Sequence, residues 1–288
     1  MSHLRLDSRI PSQNLQRASN EPLAVVGLCA LPDEFLLVAC GSSGGLRALS
    51  LRSAQLSARE PSSLSHVYKV AFDPATYTLL LAMRVRSRTS DMMWLVSLQR
   101  GYVAGEWSEV QRLQTDISYN DWLWLGLSFV SDSRALFGGR PLDRLYAFDV
   151  SREHRVCAIG AVVLEMRLGN FACTRLGTDW LVAISESGGT CLSVYRLVAL
   201  RLELLARTTL VDPRWLLFRE DLLLVADYNA DTSSSAIVPF RVTGARVTRL
   251  PELLGRNAHV EVDEWCLSGN RLVVLDLKSN DLLIYTLE

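Results

Sequence analysis

Apolar and polar positions alternate along this chain in a hairpin-like unit that is repeated six times. In residues 267–288 a polar turn precedes the apolar run Leu272–Leu275, and a second polar turn precedes the apolar run Leu282–Leu287. Short apolar runs bounded by turn residues predict β-strands, and two of them around a short polar turn predict a β-hairpin. The pattern recurs in segments 31–51, 73–98, 130–150, 176–197, 218–242 and 267–288.

The six units share an ending, which is a large apolar residue, a spacer and then Leu or Val. The final positions are Leu51, Leu98, Val150, Leu197, Val242 and Leu287. Consecutive final positions are 47, 52, 47, 45 and 45 residues apart. A nearly constant period of this size is typical of a repeat architecture and is close to the length of one propeller blade.

Each predicted hairpin is flanked by further strand-like segments. The apolar segments that precede the hairpins are 24–30, 67–72, 123–129, 170–175, 215–218 and 260–267. More polar, alternating segments follow five of them, at 55–60, 109–114, 155–165, 201–210 and 246–250. Alternation of charged and apolar residues suits a strand with one face in water. The sequence therefore predicts four strands per unit and an all-β chain without helical periodicity.

The sixth unit has no segment after its hairpin, because the chain ends at residue 288. Residues 4–10, LRLDSRI, precede the first unit and alternate as the outer segments do. We expect this N-terminal strand to complete the last unit and to close a ring, which would protect exposed sheet edges. Residues 11–21 would then cross over into the first unit.

These features resemble the β-propellers, loosely of the WD40-like kind, over essentially the whole chain. The resemblance implies a six-bladed β-propeller of four-stranded antiparallel blades in a single domain, 1–288. Seven blades and a pair of β-sandwiches are the alternatives. Known propeller repeats often carry Gly-His and Trp-Asp pairs, which are replaced here, so the resemblance identifies no functional family; only Phe148-Asp149-Val150 is faintly similar.

Composition and charge exclude several classes of protein. Apolar residues make up 49% of the chain and charged residues 21%, which is ordinary for a soluble globular protein. A net charge of −1 provides no basic field for nucleic acid or an acidic membrane. No apolar run reaches the length of a membrane helix, and residues 1–21 lack the apolar core of a secretory signal. We therefore expect an intracellular protein, cytoplasmic or nuclear.

The six cysteines form no CxxC pair, and no histidine lies at metal-ligand spacing from them. Because all six lie in apolar runs, we expect free, buried thiols rather than disulfides. No metal and no cofactor is expected from this pattern.

The resemblance also implies where the loops lie, because in propellers the loops between second and third strands share one face with the blade connections. That face would be basic on one side and acidic on the other, with aromatic residues beside the arginines. Aromatic residues beside arginines are typical anchors of protein interfaces. The candidate partner-binding residues are Arg84, Arg86, Arg88, Tyr119, Trp122 and Arg140.

Solvated loops are the competing interpretation of the charges, and packing between blades is that of the aromatic residues. If the surface is functional, its arginines would bind an acidic or phosphorylated segment of another protein or peptide. The function expected from this is a non-enzymatic protein–protein interaction platform, or scaffold subunit, without nucleic acid and without membrane insertion.

Signals for other chemistry are weak. Asp227, Asn229 and Asp231 alternate as calcium ligands would, but the Gly and Glu of a helical calcium loop are missing, and a β-turn explains them. The Gly-rich turns 41–45 and 187–189 lead into no helix with a lysine. None of the four histidines lies in a catalytic motif, and neither GxSxG nor HExxH is present.

A second function remains open. Some six-bladed propellers are calcium-dependent hydrolases of lactones or phosphoesters, with acidic and amide residues around the channel. The alternative to a scaffold is therefore a calcium-dependent hydrolase, or a small-ligand binder, with its site at the central channel. The segments that would line this channel begin with mostly apolar residues, Ala24, Val67, Leu123 and Trp215, which counts against an enzyme.

Overall fold

Each of the six repeats folds into a four-stranded antiparallel sheet, which confirms the predicted six-bladed β-propeller. In this computed structural model the described residues are 4–12, 25–31, 35–40, 45–56, 64, 66–86, 91–100, 107–118, 124–131, 133–140, 142–244, 246–255 and 258–287. The N-terminal strand is β1 (Leu4–Ile10). Blade one contains β2 (Gly27–Leu31), β3 (Phe35–Cys40), β4 (Gly45–Ser50) and β5 (Gln55–Leu56).

The next four blades follow in chain order. Blade two contains β6 (Val67–Asp73), β7 (Thr78–Arg86), β8 (Asp91–Arg100) and β9 (Trp107–Ser118). Blade three contains β10 (Trp124–Ser131), β11 (Arg134–Arg140), β12 (Arg144–Val150) and β13 (Val156–Val163). Blade four contains β14 (Leu168–Leu176), β15 (Asp179–Glu186), β16 (Cys191–Val198) and β17 (Arg201–Thr209). Blade five contains β18 (Pro213–Arg219), β19 (Leu222–Asn229), β20 (Ser234–Thr243) and β21 (Arg246–Arg249).

Blade six is assembled from both ends of the chain. Its strands are β22 (Val262–Ser268), β23 (Arg271–Asp276), β24 (Asp281–Leu287) and, on the outside of β24, the N-terminal β1. In the antiparallel register Leu6 lies opposite Tyr285 and Ile10 lies opposite Leu282. The predicted closing strand 4–10 is therefore confirmed with its boundaries.

Side chains reinforce this closure. Asp281 forms an ion pair with Arg9, and its Oδ1 accepts a hydrogen bond of 2.7 Å from the backbone N–H of Ser12. Ile10 is only 2% exposed and packs into the apolar cluster that blade six shares with blade one. The ring is therefore held shut by burial as well as by the strand ladder.

The core lies between neighbouring blades rather than at the centre of the ring. The second and third strands read as nearly continuous apolar runs, because each of their faces packs on an adjacent blade; β3, for example, is buried from Leu36 to Cys40. Outer strands alternate between half-buried and exposed residues, as in β17. The first strands of successive blades, β2, β6, β10, β14, β18 and β22, are neighbours around a central channel.

Two further expectations can be compared with the structure. All six cysteines are free, and Cys40, Cys173 and Cys266 are buried. Cys157 is exposed, because it lies on the water-facing side of outer strand β13. The expectation that every thiol is buried is therefore wrong. Nowhere in the described part of the chain is there a helix long and apolar enough to cross a membrane.

Candidate functional site in the central channel

The first strands of all six blades surround a cavity of about 320 Å³ in the central channel. Each first strand pairs with the second strand of its own blade. The first-strand residues that correspond between blades lie opposite the fifth residue of the second strand, or opposite its sixth residue in blade four. The resulting ring of residues, called here the Lys69 level, consists of Gly27, Lys69, Gly126, Phe171, Trp215 and Glu264. Four large side chains, those of Lys69, Phe171, Trp215 and Glu264, thus lie at one height in the channel, where the other two blades contribute glycines.

At this level Lys69 of blade two reaches across the channel. Its ammonium forms an ion pair with Glu264 of blade six and lies 4.9 Å from the ring centroid of Trp215 in blade five. The Lys69 and Glu264 side chains are only 12% and 11% exposed, so the charged pair is largely removed from water. An ion pair beside an aromatic ring in such a place is costly to desolvate.

Glycine makes room for this arrangement. Blade one lies between blades two and six, and at the Lys69 level it contributes Gly27, which has no side chain to stand between Lys69 and Glu264. A Cβ added to Gly27 would lie 3.1 Å from the Tyr68 carbonyl oxygen, so the two backbones also approach closely. On the other side of the ring, the Phe171 ring occupies the space in front of Gly126.

The channel changes the acid–base behaviour of the lysine. Burial lowers the pKa of Lys69 to about 7, although the nearby Asp263 carboxylate acts in the opposite direction. Burial also raises the pKa of Asp263, against the opposing effect of Lys69. A lysine with such a pKa is partly deprotonated near neutral pH, whereas an exposed lysine stays protonated there.

Two residues further along the same strands, a second ring carries three thiols. This thiol level consists of Cys29, Ala71, Ser128, Cys173, Leu217 and Cys266. Burial raises the pKa of Cys29 and Cys173 to about 12, so both are neutral thiols at physiological pH. Beyond them the channel is lined by Phe72, Phe129 and Phe218. The channel is therefore polar toward the start of its strands and apolar toward their ends.

Trp265 is also among the residues around the cavity, and its side chain belongs to the apolar cluster between blades five and six. This side chain is 4% exposed, and its Nε1–H finds no acceptor among the described residues. A buried donor without a partner carries a free-energy cost of about 1–3 kcal/mol.

The donor set does not fit the calcium ion that the hydrolase alternative included. Ca²⁺ takes about six to eight oxygen ligands, whereas the described residues that line the channel offer one carboxylate, Glu264, which is already paired with Lys69. Over the described ranges no group of three His, Cys, Asp or Glu residues could hold a metal ion. The alternating residues near 227 serve other purposes. Asp227 Oδ1 accepts the backbone N–H groups of Val211 and Asp212 at 2.8 Å each, and Asn229 Oδ1 accepts that of Asp231 at 2.8 Å.

The three described candidate partner-binding residues, Arg84, Arg86 and Arg140, lie on second strands of their blades and not on the channel strands. Arg84 and Arg86 are on β7; Arg84 forms an ion pair with Asp91, and Arg86, 73% exposed, lies 3.6 Å from the same carboxylate. Arg140 is exposed at the end of β11 and borders a cavity of about 80 Å³ together with Glu186. Arg88, Tyr119 and Trp122 lie outside the described residues. The structure thus brings Arg84 and Arg86 together, and the role of the set stays a prediction.

The sequence interpretation missed Lys69 and Glu264. Both lie inside segments that were predicted as inner strands. The candidate site, however, was chosen from loop residues, and the channel was judged from the first residue of each segment. One signal could have found them: the chain has two lysines, Lys69 and Lys278, against 28 arginines. In a chain that uses arginine almost everywhere, a lysine in an inner strand is unusual.

No protein-family model and no curated protein matches the sequence. Solved structures do match. One is a protein from Bacteroides uniformis provisionally assigned as a 6-phosphogluconolactonase, 14% identical with a TM-score of 0.61, covering 93% of this chain and 86% of that chain. Another is the PQQ-bound aldose sugar dehydrogenase of Streptomyces coelicolor, 9% identical with a TM-score of 0.59, covering 100% and 99%. A third is the β-propeller domain of Cps50 (Swd1) from Myceliophteria thermophila, 14% identical with a TM-score of 0.56, covering 95% and 86%.

The chain is a remote β-propeller. Identities this low show the shared fold alone, so the activities in those names belong to those proteins. The similar structures nevertheless contradict the expectation of a non-enzymatic scaffold, because two of the three bear the names of enzymes for small molecules. The channel-centred alternative is better supported, and the scaffold interpretation was wrong because it weighed the charged loops and overlooked the two charged residues of the channel.

Proposed function

We propose that this protein binds a small polyhydroxylated molecule in its central channel, at the Lys69–Glu264 pair. The observation that carries the proposal is a buried, oppositely charged pair that borders a cavity of about 320 Å³. Small-molecule sites are commonly concave and mostly apolar, with a few polar groups that converge on the ligand, and begin at about 300 Å³. The cavity is at the small end of that range and therefore suits a compact ligand.

The polar groups suit hydroxyl-bearing ligands. Lys69 can donate to a ligand oxygen, and Glu264 can accept from a hydroxyl. Trp215 adds an aromatic face next to the charged pair, against which the apolar side of a ring can pack. The names of the similar propellers, a 6-phosphogluconolactonase and an aldose sugar dehydrogenase, support sugar-derived molecules as the first class to test.

Lactone hydrolysis is a second candidate function, favoured by the acid–base character of the pair. In such a reaction Glu264 would take a proton from the attacking water, and the Lys69 ammonium would stabilise the negative charge that develops on the lactone carbonyl oxygen. Water adds to the carbonyl carbon, the ring C–O bond breaks, and the proton passes to the departing ring oxygen. These steps use only residues at the Lys69 level.

Saturation-transfer NMR tests the binding proposal with D-gluconate, D-glucose and D-glucono-1,5-lactone as probes, the lactone also being followed for accelerated opening. We expect saturation transfer to at least one probe and a roughly 10- to 100-fold weaker affinity in Glu264→Gln, because a hydrogen bond to a charged group is lost in a buried site. Glu203→Gln is the matched control, since the Glu203 side chain is 58% exposed on an outer strand. No transfer to any probe, or equal affinity in Glu264→Gln, would refute the channel site.

A further inference from the structure

The choice of lysine at position 69 is informative because arginine would suit the visible contacts better. A guanidinium can pair with a carboxylate through two parallel hydrogen bonds and stacks well on tryptophan. The chain uses arginine for 28 of its 30 basic residues, yet the residue that contacts Glu264 and Trp215 is a lysine. What lysine offers and arginine does not is a primary amine that can lose its proton and act as a nucleophile.

The surroundings of Lys69 provide the conditions for that chemistry. Its side chain is 12% exposed and borders the cavity, so the amine faces space that a ligand can occupy. Burial favours its neutral form, with the pKa at about 7, and the acidic groups that face it are Glu264 in contact and Asp263 nearby. Glu264 is therefore placed to accept the proton that the amine must lose.

We propose that Lys69 captures a small aldehyde or ketone in the central channel as an imine. This inference rests on the proposed function, because it names the chemical class of ligand for the same site. The lone pair of the neutral Lys69 Nζ forms a bond to the carbonyl carbon while the C=O π electrons move to the oxygen, which takes from Glu264 the proton that this carboxylate accepted from the Lys69 ammonium. Nζ passes one proton to the Glu264 carboxylate, and a carbinolamine results.

In the second half of the reaction the carbinolamine loses water. Glu264 returns its proton to the hydroxyl group, the C–O bond breaks with departure of water, and the Nζ lone pair completes the C=N bond. The net change is the Lys69 ammonium plus the carbonyl compound giving the protonated imine plus one water, without an oxidant or a reductant. Trp215 would stabilise the protonated imine as it does the ammonium, through the face of its ring.

The thiols of the channel do not compete for the carbonyl carbon. Cys29 and Cys173 lie one ring further along, and burial raises the pKa of each to about 12. The thiolate is the reactive form of cysteine, and at neutral pH these two groups hold their protons. Burial raises the pKa of Cys266 as well, so among the described residues of the channel the Lys69 amine is the strong nucleophile that an electrophile meets.

Reductive trapping tests the proposal with D-glyceraldehyde and sodium cyanoborohydride on the full chain at pH 7, followed by peptide mapping by mass spectrometry. Lys278 is an internal control in the same molecule, because it is exposed on the turn between β23 and β24. We expect Lys69 to be labelled at least tenfold faster than Lys278, with a rate that rises with pH around a midpoint near 7. Labelling of Lys69 no faster than that of Lys278 would overturn the proposal.

Variants separate imine formation from simple binding. Lys69→Arg keeps the charge and removes the primary amine, so we expect no adduct at position 69. If that variant does not fold, the labelling rates of Lys69 and Lys278 in the wild-type protein still decide whether the imine forms. Glu264→Gln should slow labelling of Lys69 at least tenfold and leave Lys278 unchanged, and equal rates in this variant would contradict the role of Glu264. Binding of D-gluconate without trapping at Lys69 would overturn the imine and leave the channel site standing, whereas absence of both would overturn both.

Discussion

Replacing the two members of the Lys69–Glu264 pair, singly and together, provides the sharpest stability test of the channel. The single variants are Lys69→Met and Glu264→Leu, which keep approximate side-chain volume and remove one charge each. The double variant removes both charges and fills the same space with apolar atoms. Lys278→Met is the control, since Lys278 is exposed and its replacement should change the free energy of unfolding by less than about 0.5 kcal/mol.

The two single changes should have unequal effects. With 11% of its side chain exposed, Glu264 would remain as a buried, uncompensated carboxylate in Lys69→Met, which costs about 3–5 kcal/mol. In Glu264→Leu the remaining Lys69 can release its proton because its pKa is about 7, and Asp263 still provides a counter-charge. We expect that change to cost less, about 1–3 kcal/mol.

The double variant should recover most of this loss. Replacing a buried ion pair by apolar residues of similar volume is often neutral, or stabilising by about 1–4 kcal/mol, because two charges no longer have to leave water. Urea unfolding at pH 6, below the Lys69 pKa of about 7 so that the pair is charged, measures all four variants against the wild type by tryptophan fluorescence. Additive effects of the two single changes would show that Lys69 and Glu264 do not act as a pair in the folded protein and would refute the reasoning.

Three further predictions follow from burial and packing. Between pH 7 and 10.5 the wild type should gain about 4 kcal/mol of stability relative to the double variant, because folded Lys69, with its pKa lowered to about 7, loses a proton that the unfolded chain still binds. Urea titrations at stepped pH measure this gain, and parallel stability curves for the two proteins would contradict it. Ile10→Ala should cost about 2–5 kcal/mol in urea, since Ile10 is 2% exposed, whereas Leu6→Ala, at a residue that is 51% exposed on the same strand, should cost far less; equal losses would refute the closure argument. Gly126→Ala should lower the free energy of unfolding by about 1–3 kcal/mol, because its Cβ would lie 2.6 Å from an aromatic carbon of Phe171. Gly255→Ala is the control, since no atom of the described residues would lie within 4 Å of its Cβ, and a Gly126→Ala variant as stable as the wild type would show that the Phe171 ring can move aside.

The fold was predictable because the information that specifies it is repeated. Each blade hides its middle strands between two neighbours, so those strands read as unbroken apolar runs, and six such hairpins at a constant spacing leave few architectures. The closing strand was predictable for a related reason. The last unit lacks an outer strand, and residues 4–10 have the alternation that an outer strand needs. Strand ends were predicted less well: β9 extends over 107–118 rather than 109–114, because the ladder with β8 continues past the alternating residues.

The candidate site was not predictable from periodicity, because it depends on which residues of different blades share a height. Register shifts occur immediately before Lys69 and Glu264, between Val67 and Lys69 and between Val262 and Glu264. These irregularities move both residues to the Lys69 level, and an apolar pattern contains no sign of them. The contact with Trp215 likewise joins blades two and five, which are distant in sequence and meet only across the channel.

Stability alone gives no reason for a charged pair in this channel. An apolar pair would fill the same space without desolvating two charges, and an arginine would make the contacts to Glu264 and Trp215 with less dependence on pH. The protein nevertheless places one of its two lysines there, next to a cavity and above neutral thiols. The feature that distinguishes this lysine from both substitutes is an amine that can be neutral near pH 7. A residue chosen for that property is expected to react with what enters the channel, which is the behaviour that reductive trapping measures.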